Sequence, residues 1–195
     1  MAKRYRKRGL DKTARQIVAF LEARDIEGAS VIEIGGGVGE IQLELLKRGA
    51  ERTTNLELSP AYEGEAAYLL EQAGFGDRVH RRLHDIAVDP EGVEPAEVVV
   101  LHRVVCCYPD YERLLSAAAD KSRRLLVFSH PRRNLVSRAV VALQNACFRL
   151  RRDEFRTFTH PPAAMLAVLE SRGFEATASH RGLAWQVAGL ERKSI

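Results

Sequence analysis

The sequence predicts a single α/β domain with a doubly wound, mainly parallel seven-stranded sheet and a C-terminal antiparallel hairpin. Three observations predict it. Short apolar runs alternate with amphipathic helical patterns, which favours a parallel sheet covered on both faces. A glycine cluster follows the first apolar run, and the last two strands are joined at Arg181-Gly182, a turn too short for a parallel crossover. The length of 195 residues suits one core, so we expect one domain over 1–195.

The composition is that of an ordinary globular protein, with 46% hydrophobic and 29% charged residues. No apolar run approaches the roughly 20 residues that span a bilayer. The basic segment Met1–Arg8 lacks the apolar stretch of a secretory signal, so residues 1–9 are expected to form a frayed, solvated tail. Three cysteines, two of them adjacent, predict neither a disulfide framework nor a metal site. We therefore expect a reducing, cytoplasmic setting.

The first half of the chain alternates helical and strand patterns. The predicted elements are helix 11–25, strand 31–34, a helix from Ile41 to Gly49, strand 53–58, a helix from Ser59 to Gly74 and strand 79–83. The opening helix carries apolar residues at helical spacing. Ser59-Pro60 is a typical helix start, because serine caps the first turn and proline suits the first helical position.

The second half continues the alternation and ends in the hairpin. The predicted elements are strand 98–101, helix 111–119, strand 125–129, helix 135–150, a helix from Pro161 to Gly173, and strands 174–180 and 183–190. Val98–Leu101 is a continuous apolar run, typical of a parallel strand buried on both faces. Asp110 is the expected N-cap of the helix after it. Helix 135–150 has a distinct apolar side, formed by Val136, Ala139, Val140, Leu143 and Cys147.

The glycine cluster indicates a nucleotide-like ligand, since glycines let the backbone approach it and the next helix offers free N–H groups. The run reads Glu33-Ile34-Gly35-Gly36-Gly37-Val38-Gly39. A dinucleotide fingerprint needs glycine at position 40, where Glu40 stands, and this disfavours a nicotinamide oxidoreductase. The run resembles the E/DxGxGxG loop of the class I methyltransferases, Rossmann-like enzymes that depend on S-adenosylmethionine (SAM).

The resemblance covers nearly the whole chain and implies SAM as cofactor, with S-adenosylhomocysteine (SAH) as product. It implies that Glu57, followed by Leu58, accepts the ribose hydroxyls, and that Asp85 accepts from the adenine amine while Ile86 covers the ring. The end of the fourth strand, Leu101-His102, is implied to pass under the methionine part of SAM. The implied cofactor-binding residues are Glu33, Gly35, Gly36, Gly37, Gly39, Glu57, Leu58, Asp85, Ile86, Leu101 and His102.

A narrower resemblance links the chain to the magnesium-protoporphyrin methyltransferases, and in outline to ubiquinone and menaquinone methyltransferases. It rests on Val104–Pro109, on strand 125–129 followed by Pro131, and on the Arg-x-aromatic-x-His segment 156–160. Cys107 departs from the pattern, since the porphyrin enzymes carry histidine before the Tyr-Pro pair. Relatives also have more N-terminal sequence, folding as a lid, so we expect an open acceptor site or a missing lid segment.

Candidate catalytic residues follow the fourth and fifth strands, because ligands of open α/β sheets bind beyond the carboxyl ends of the strands. His102 is the first candidate base, since it ends a central strand and titrates near neutral pH. His130 is the second, and Tyr108 is a further candidate. The alternative for each histidine is a hydrogen bond to a loop carbonyl. Cys106 and its neighbour Cys107 are expected to point in different directions and to serve packing.

The expected partner is a small-molecule acceptor, with oxygen or carbon acceptors favoured. The helical insert 131–161 is expected to shape the acceptor pocket. It is rich in arginine, which would suit an anionic acceptor, although a solvated helix face is the plainer explanation. These arginines are Arg132, Arg133, Arg138, Arg149, Arg151, Arg152 and Arg156.

Two rival functions remain open. An RNA-directed methyltransferase is consistent with the net charge of +4 and the basic N-terminus. Against a nucleic-acid acceptor, the place after the fourth strand lacks an Asn/Asp-Pro-Pro-aromatic motif, and only 7% of residues are aromatic. A non-catalytic SAM-binding module that regulates a partner would carry the same glycine loop and acidic residues.

Overall fold

The computed structural model describes residues 2–193. The helices are α1 (Ala2–Arg8), α2 (Lys12–Glu22), α3 (Glu40–Lys47), α4 (Glu63–Ala73), α5 (Tyr111–Asp120), α6 (Leu135–Leu150) and α7 (Pro162–Ser171). The strands are β1 (Ser30–Ile34), β2 (Arg52–Glu57), β3 (Val79–Leu83), β4 (Ala96–Leu101), β5 (Ser122–Pro131), β6 (Phe174–Arg181) and β7 (Trp185–Arg192). Each element predicted from the sequence is present, with ends shifted by a few residues.

The strands form one sheet in the order β3-β2-β1-β4-β5-β7-β6. The first five are parallel, and β7 runs antiparallel between β5 and β6. The predicted fold class is therefore confirmed, including the terminal hairpin. Ile34 pairs with both Leu56 and Leu101, so three neighbouring strands end level with one another. The loops that follow them consequently meet at one edge of the sheet.

Two apolar layers cover the sheet, one on each face. Alternate residues of β4 serve opposite layers, because successive strand side chains point to opposite faces. Val98 and Val100 pack with α1 to α4, whereas Val99 and Leu101 pack with α5 and α7. All four are wholly buried, which explains the uninterrupted apolar run in the sequence.

The N-terminal segment differs from the expected frayed tail, since residues 2–8 form the helix α1. Ala2 and Tyr5 are buried against the first apolar layer. The Tyr5 hydroxyl donates a hydrogen bond of 2.5 Å to Glu44, and Arg4 lies 3.4 Å from Glu40. The basic composition of the segment suggested that it is solvated. In the structure it is ordered by the burial of Ala2 and Tyr5 and by contacts with Glu40 and Glu44 on α3.

Helix α6 occupies the predicted range 135–150, yet its apolar side faces solvent. Surface helices normally turn that side toward the core. Here α5 and α7 already pack on the adjacent face of the sheet, and no side chain of α6 is buried by the residues described. The helix touches the domain through Asn145 and Phe148 instead.

None of the helices in residues 2–193 combines the length and apolar character needed to cross a membrane.

Candidate functional site

A cleft of about 460 Å³ opens at the carboxyl ends of β1 to β4. It is lined by the segments that follow these strands, together with Tyr62, Leu114 and Phe155. The main lining segments are 33–38, 57–59, 84–86 and 102–104. Its position is the one at which open α/β sheets bind ligands, and its size lies in the range of cofactor sites.

The glycine loop needs glycine at three positions, for two different reasons. A Cβ on Gly35 would lie 2.5 Å from Cγ2 of Val104, and one on Gly36 would lie 2.6 Å from Nδ2 of Asn55. Gly37 has a φ of +56°, and a Cβ there would meet only Tyr62, at 4.0 Å. Packing therefore excludes side chains at the first two positions, whereas at the third a side chain would project into the cleft.

Glu57 is held in place at the cleft by backbone donors. Its Oε2 accepts a hydrogen bond of 2.9 Å from the N–H of Gly37. Its Oε1 accepts from the N–H groups of Leu58 and Ser59, at 2.8 and 3.1 Å. The side chain is only 8% exposed. These bonds leave the carboxylate little freedom, so it is preorganised as an acceptor for ligand hydroxyls.

Arg81 supports the loop from β3, a role that sequence reasoning missed. Its guanidinium donates a hydrogen bond of 2.8 Å to the Gly37 carbonyl and forms an ion pair of 2.8 Å with Glu63. The only signal in the sequence was an arginine in the middle of a predicted strand. Together, Arg81 and Glu57 fix both the carbonyl and the N–H of Gly37.

Glu33 lies buried beneath the loop and lines the cleft. Burial, followed by the nearby charge of Glu40, raises the pKa of Glu33 to about 8. Its Oε2 has no hydrogen-bond partner among the described residues. A buried, unpartnered carboxyl oxygen favours a cationic ligand group, which would satisfy it and stabilise its ionised form.

Asp85 and Tyr108 also line the cleft, where they contact each other. The Tyr108 hydroxyl donates to both carboxylate oxygens of Asp85, at 3.0 and 3.2 Å. Burial, followed by this hydrogen bond, raises the pKa of Tyr108 to about 12. Ile86 is buried beside them, and the Nε2 of His160 lies 3.0 Å from the Tyr108 carbonyl. The Tyr-Pro turn and the Arg-x-aromatic-x-His segment are thus in direct contact.

His102 lines the cleft at the end of β4. Its Nδ1 lies 3.0 Å from Oγ of Ser129, which also accepts the N–H of Arg103 at 2.9 Å. Burial, and after it the charge of Arg103, lowers the pKa of His102 to about 4. The imidazole is therefore neutral at pH 7.

Arg103, which follows His102 in the loop after β4, forms an ion pair with Asp11. The distance from Nη2 of Arg103 to Oδ2 of Asp11 is 2.7 Å, and the guanidinium also lies over the ring of Trp185. Asp11 caps α2 by accepting from the N–H of Ala14 at 2.9 Å. Arg103 itself adopts a φ of +60°. The contact joins the N-terminal helices to the β4 loop, and nothing local in the sequence indicated it.

Three of the predicted site residues are not part of the cleft lining described for residues 2–193. His130 is buried, and its Nδ1 lies 3.0 Å from the carbonyl of Pro131, the last residue of β5. Leu101 packs into the layer of α5 and α7. Gly39 forms the start of α3, with a φ of +81°.

The prediction that Cys106 and Cys107 point in different directions is wrong. Their sulfurs lie 3.5 Å apart, and both approach the carbonyl of Arg103. The two residues belong to a 3₁₀ turn, Val105–Cys107, and this turn lets both thiols reach the same carbonyl. Cys107 also lines the cleft.

The insert 131–161 contributes one side chain, Phe155, to the cleft described here. Asn145 of α6 fixes the segment that carries it, because its side chain accepts from the N–H of Thr157 at 2.9 Å and donates to its carbonyl at 2.8 Å. The arginines of the insert are not among the lining residues of the described cleft.

Comparison with known proteins identifies the family of the chain. A family model described as "Methyltransferase domain" matches residues 3–179. None of the curated proteins compared with the sequence matches it.

Solved structures share the fold. The magnesium protoporphyrin IX methyltransferase (ChlM) of Synechocystis PCC 6803 with bound SAH is 20% identical, with a TM-score of 0.76 over 93% of this chain and 82% of that one. The mitomycin 7-O-methyltransferase MmcR is 22% identical, with a TM-score of 0.66 over 95% and 56%. A ribosomal protein L11 methylase from Lactobacillus delbrueckii subsp. bulgaricus is 14% identical, with a TM-score of 0.68 over 95% and 81%.

Proposed function

Since the chain belongs to the class I SAM-dependent methyltransferase family, we propose that it transfers the methyl group of SAM to a small-molecule acceptor. An oxygen or carbon acceptor is favoured, and the proposal includes anionic acceptors. The observation that carries this proposal is the Glu57 carboxylate, which lines the cleft and is hydrogen-bonded to the N–H of Gly37.

The residues around the cleft fit the groups that SAM presents. Glu57 would accept the ribose hydroxyls, and Asp85 with Ile86 would hold the adenine. The unpartnered Oε2 of Glu33 is suited to the ammonium of the methionine part, together with the backbone of the loop at Gly35 and Gly37. Without a ligand, burial keeps the Glu33 carboxyl protonated. A positively charged ligand would stabilise its ionised form.

SAM supplies an electrophilic methyl group on a sulfonium, and the chain has to align an acceptor with it and exclude water. In this proposal His102, which lines the cleft and contacts Ser129 through Nδ1, would accept a hydrogen bond from the acceptor or donate one to it. Its low pKa makes it a weak base, because burial of the ring, and after it the charge of Arg103, disfavours the imidazolium. Such a residue suits an acceptor that is already anionic, or one whose proton is acidic.

We further propose a cytoplasmic location. Cys106, Cys107 and Cys147 are free cysteines, and thiols persist in reducing compartments. Fluorescence localisation of the tagged full chain tests this point independently of the activity.

The test of the donor site is calorimetric titration of the purified protein with SAH, with NAD as control. Micromolar binding of SAH alone supports the proposal, whereas preferential NAD binding contradicts it. A second assay follows methyl transfer from labelled SAM to anionic aromatics and quinones, with RNA for comparison. SAH binding without turnover on any acceptor would favour a non-catalytic module, and labelling of RNA alone would favour the RNA-directed alternative.

A further inference from the structure

The outer side of α6 is an unpartnered apolar face. Leu135, Val136, Leu143 and Leu150 are 81%, 72%, 68% and 85% exposed, and Val140 is half exposed. At 3.6 residues per turn these positions lie on one side of the helix. Nothing in residues 2–193 covers them. A contiguous apolar face of this kind on a soluble domain is typical of an interaction surface.

The inner side of α6 holds the helix firmly against the cleft. Asn145 makes two hydrogen bonds to the backbone of Thr157, and Phe148 packs edge-on against Phe155 with ring centroids 5.3 Å apart. Phe155 is part of the cleft wall. The outward direction of the apolar face is therefore set by contacts on the opposite side of the helix.

The charges around this face have one dominant sign. Arg138 and Arg149, three helical turns apart, lie along one flank of it. Further arginines precede and follow the helix, and in the stretch 132–156 only Asp153 and Glu154 are acidic. The arginines are Arg132, Arg133, Arg138, Arg149, Arg151, Arg152 and Arg156. The complementary surface is therefore apolar at its centre, and anionic along one flank and near the two ends of the helix.

We propose that α6 docks this protein on an anionic lipid surface, with its apolar face in the acyl boundary and its arginines at the phosphate groups. An amphipathic helix with leucine and valine on one side and arginines beside them is the arrangement that lies in a membrane interface. A second copy of the chain fits less well, since an antiparallel two-fold α6–α6 contact would place the arginine flanks of the two helices side by side. Docking of this kind would hold Phe155, and with it the cleft, close to the bilayer.

The experiment is vesicle flotation with the full chain. Vesicles of equal parts phosphatidylcholine and phosphatidylglycerol are compared with vesicles of phosphatidylcholine alone. We expect binding to the anionic vesicles, weakened by added salt. Val136→Glu and Leu143→Glu should each lower the partition coefficient by roughly tenfold, because an embedded apolar side chain becomes a carboxylate facing anionic lipid. Val88→Glu introduces the same charge at another exposed valine, and its partition coefficient should stay within about twofold of the wild-type value.

The arginines are tested separately. Arg138→Gln and Arg149→Gln should each weaken binding about fivefold, the effect of one basic side chain near an anionic surface. Arg52→Gln removes an exposed arginine far from α6, paired with Glu51, and should have little effect. All these positions are exposed, so circular dichroism melts should stay close to wild type.

Several outcomes would overturn the proposal. If the protein does not float with either vesicle type, it does not bind lipid. If it floats equally with both types, its binding does not depend on anionic lipid. An equal loss with Val88→Glu would show a general charge effect. A dimer in light scattering that Val136→Glu dissociates would identify the face as an interface between copies of the chain. None of these measurements depends on SAH binding, so their results do not bear on the proposed function, which is tested separately.

Discussion

The hydroxyl of Tyr108 lies 3.0 Å from Oδ2 of Asp85, and this hydrogen bond joins the loop after β3 to the turn after β4. The sequence suggested separate tasks for the two residues, chemistry for Tyr108 and adenine recognition for Asp85. Their contact indicates a shared task. A tyrosine whose pKa is raised to about 12 stays protonated and donates to Asp85, so it orients the carboxylate for a ligand.

Tyr108→Phe should therefore weaken SAH binding rather than slow the reaction. We expect Kd to rise about tenfold, near the lower end of what a hydrogen bond to a charged group contributes. Calorimetry with SAH measures this. Tyr111→Phe is the matched control, because Tyr111 donates only to the exposed Glu112. A fall in kcat with unchanged Kd would restore the catalytic assignment of Tyr108.

Gly37→Val should abolish SAH binding while the protein still folds. Valine at a φ of +56° is strained by about 1–2 kcal/mol, and its side chain would enter the cleft. Gly74→Val is the control, since Gly74 has a φ of +69° at the end of α4 with open space around it. Both variants should lose similar stability in urea titrations. Retained SAH affinity in Gly37→Val would contradict the placement of the donor site.

Glu33→Gln should change how stability depends on pH in the absence of ligand. The pKa of Glu33 is near 4.5 in the unfolded chain and about 8 in the folded one. Between these values the folded protein holds a proton that the unfolded chain has lost, so rising pH destabilises the native state. The neutral glutamine removes this loss, which amounts to a few kcal/mol at about 1.4 kcal/mol per pKa unit. Urea titrations at pH 5, 7 and 9 measure the difference.

The control for this variant is Glu71→Gln, which alters an exposed glutamate on α4. The dependence of its unfolding free energy on pH should match that of the wild-type protein. Glu33→Gln should also weaken SAH binding by roughly tenfold, because the ligand ammonium loses an ionised partner. Identical pH profiles for wild type and Glu33→Gln would mean that Glu33 is not held neutral by its surroundings.

His102→Ala should reduce turnover far more than donor binding. Once an acceptor is found, we expect kcat to fall by about a hundredfold, the lower range for a group that handles a proton. Kd for SAH should stay within about twofold of wild type, since donor contacts come mainly from other residues. His180→Ala, an exposed histidine on β6, serves as control. An equal loss of turnover and affinity would make His102 a binding residue.

The pH profile of kcat provides a second check on His102. With its pKa lowered to about 4, the imidazole is neutral throughout the range from pH 6 to 8. Turnover should therefore show no ionisation of His102 in that range. A rising limb near pH 6.5 in wild type that disappears in His102→Ala would contradict the buried, Arg103-facing environment of the ring.

Much of the candidate site was predictable because its signals are local. The run from Glu33 to Gly39 sets a strand, a tight loop and a helix start within a few residues. Asp110 and Ser59 do cap the turns that follow them, as expected, since a cap depends only on neighbouring backbone donors. Glu57 and Asp85 follow strands that end at one edge of the sheet, so topology alone brings them to one cleft.

Contacts between distant segments could not be predicted in the same way. Arg81 bonds to the Gly37 carbonyl from a neighbouring strand, and Asp11 pairs with Arg103 across more than ninety positions of sequence. No repeating pattern in the sequence indicates which distant residue a polar side chain will contact. Burial of the ring against Arg103, which lowers the pKa of His102, depends on these same contacts.

The sequence by itself determined the order of helices and strands, the parallel sheet, the antiparallel hairpin and the glycine loop, because turn lengths, caps and apolar periodicity act over short distances. The tertiary structure decided which faces are covered. It orders α1 through Ala2 and Tyr5, and it leaves the apolar side of α6 in solvent. Periodicity shows that a helix has an apolar side, but only the space left by α5 and α7 decides whether that side meets the core.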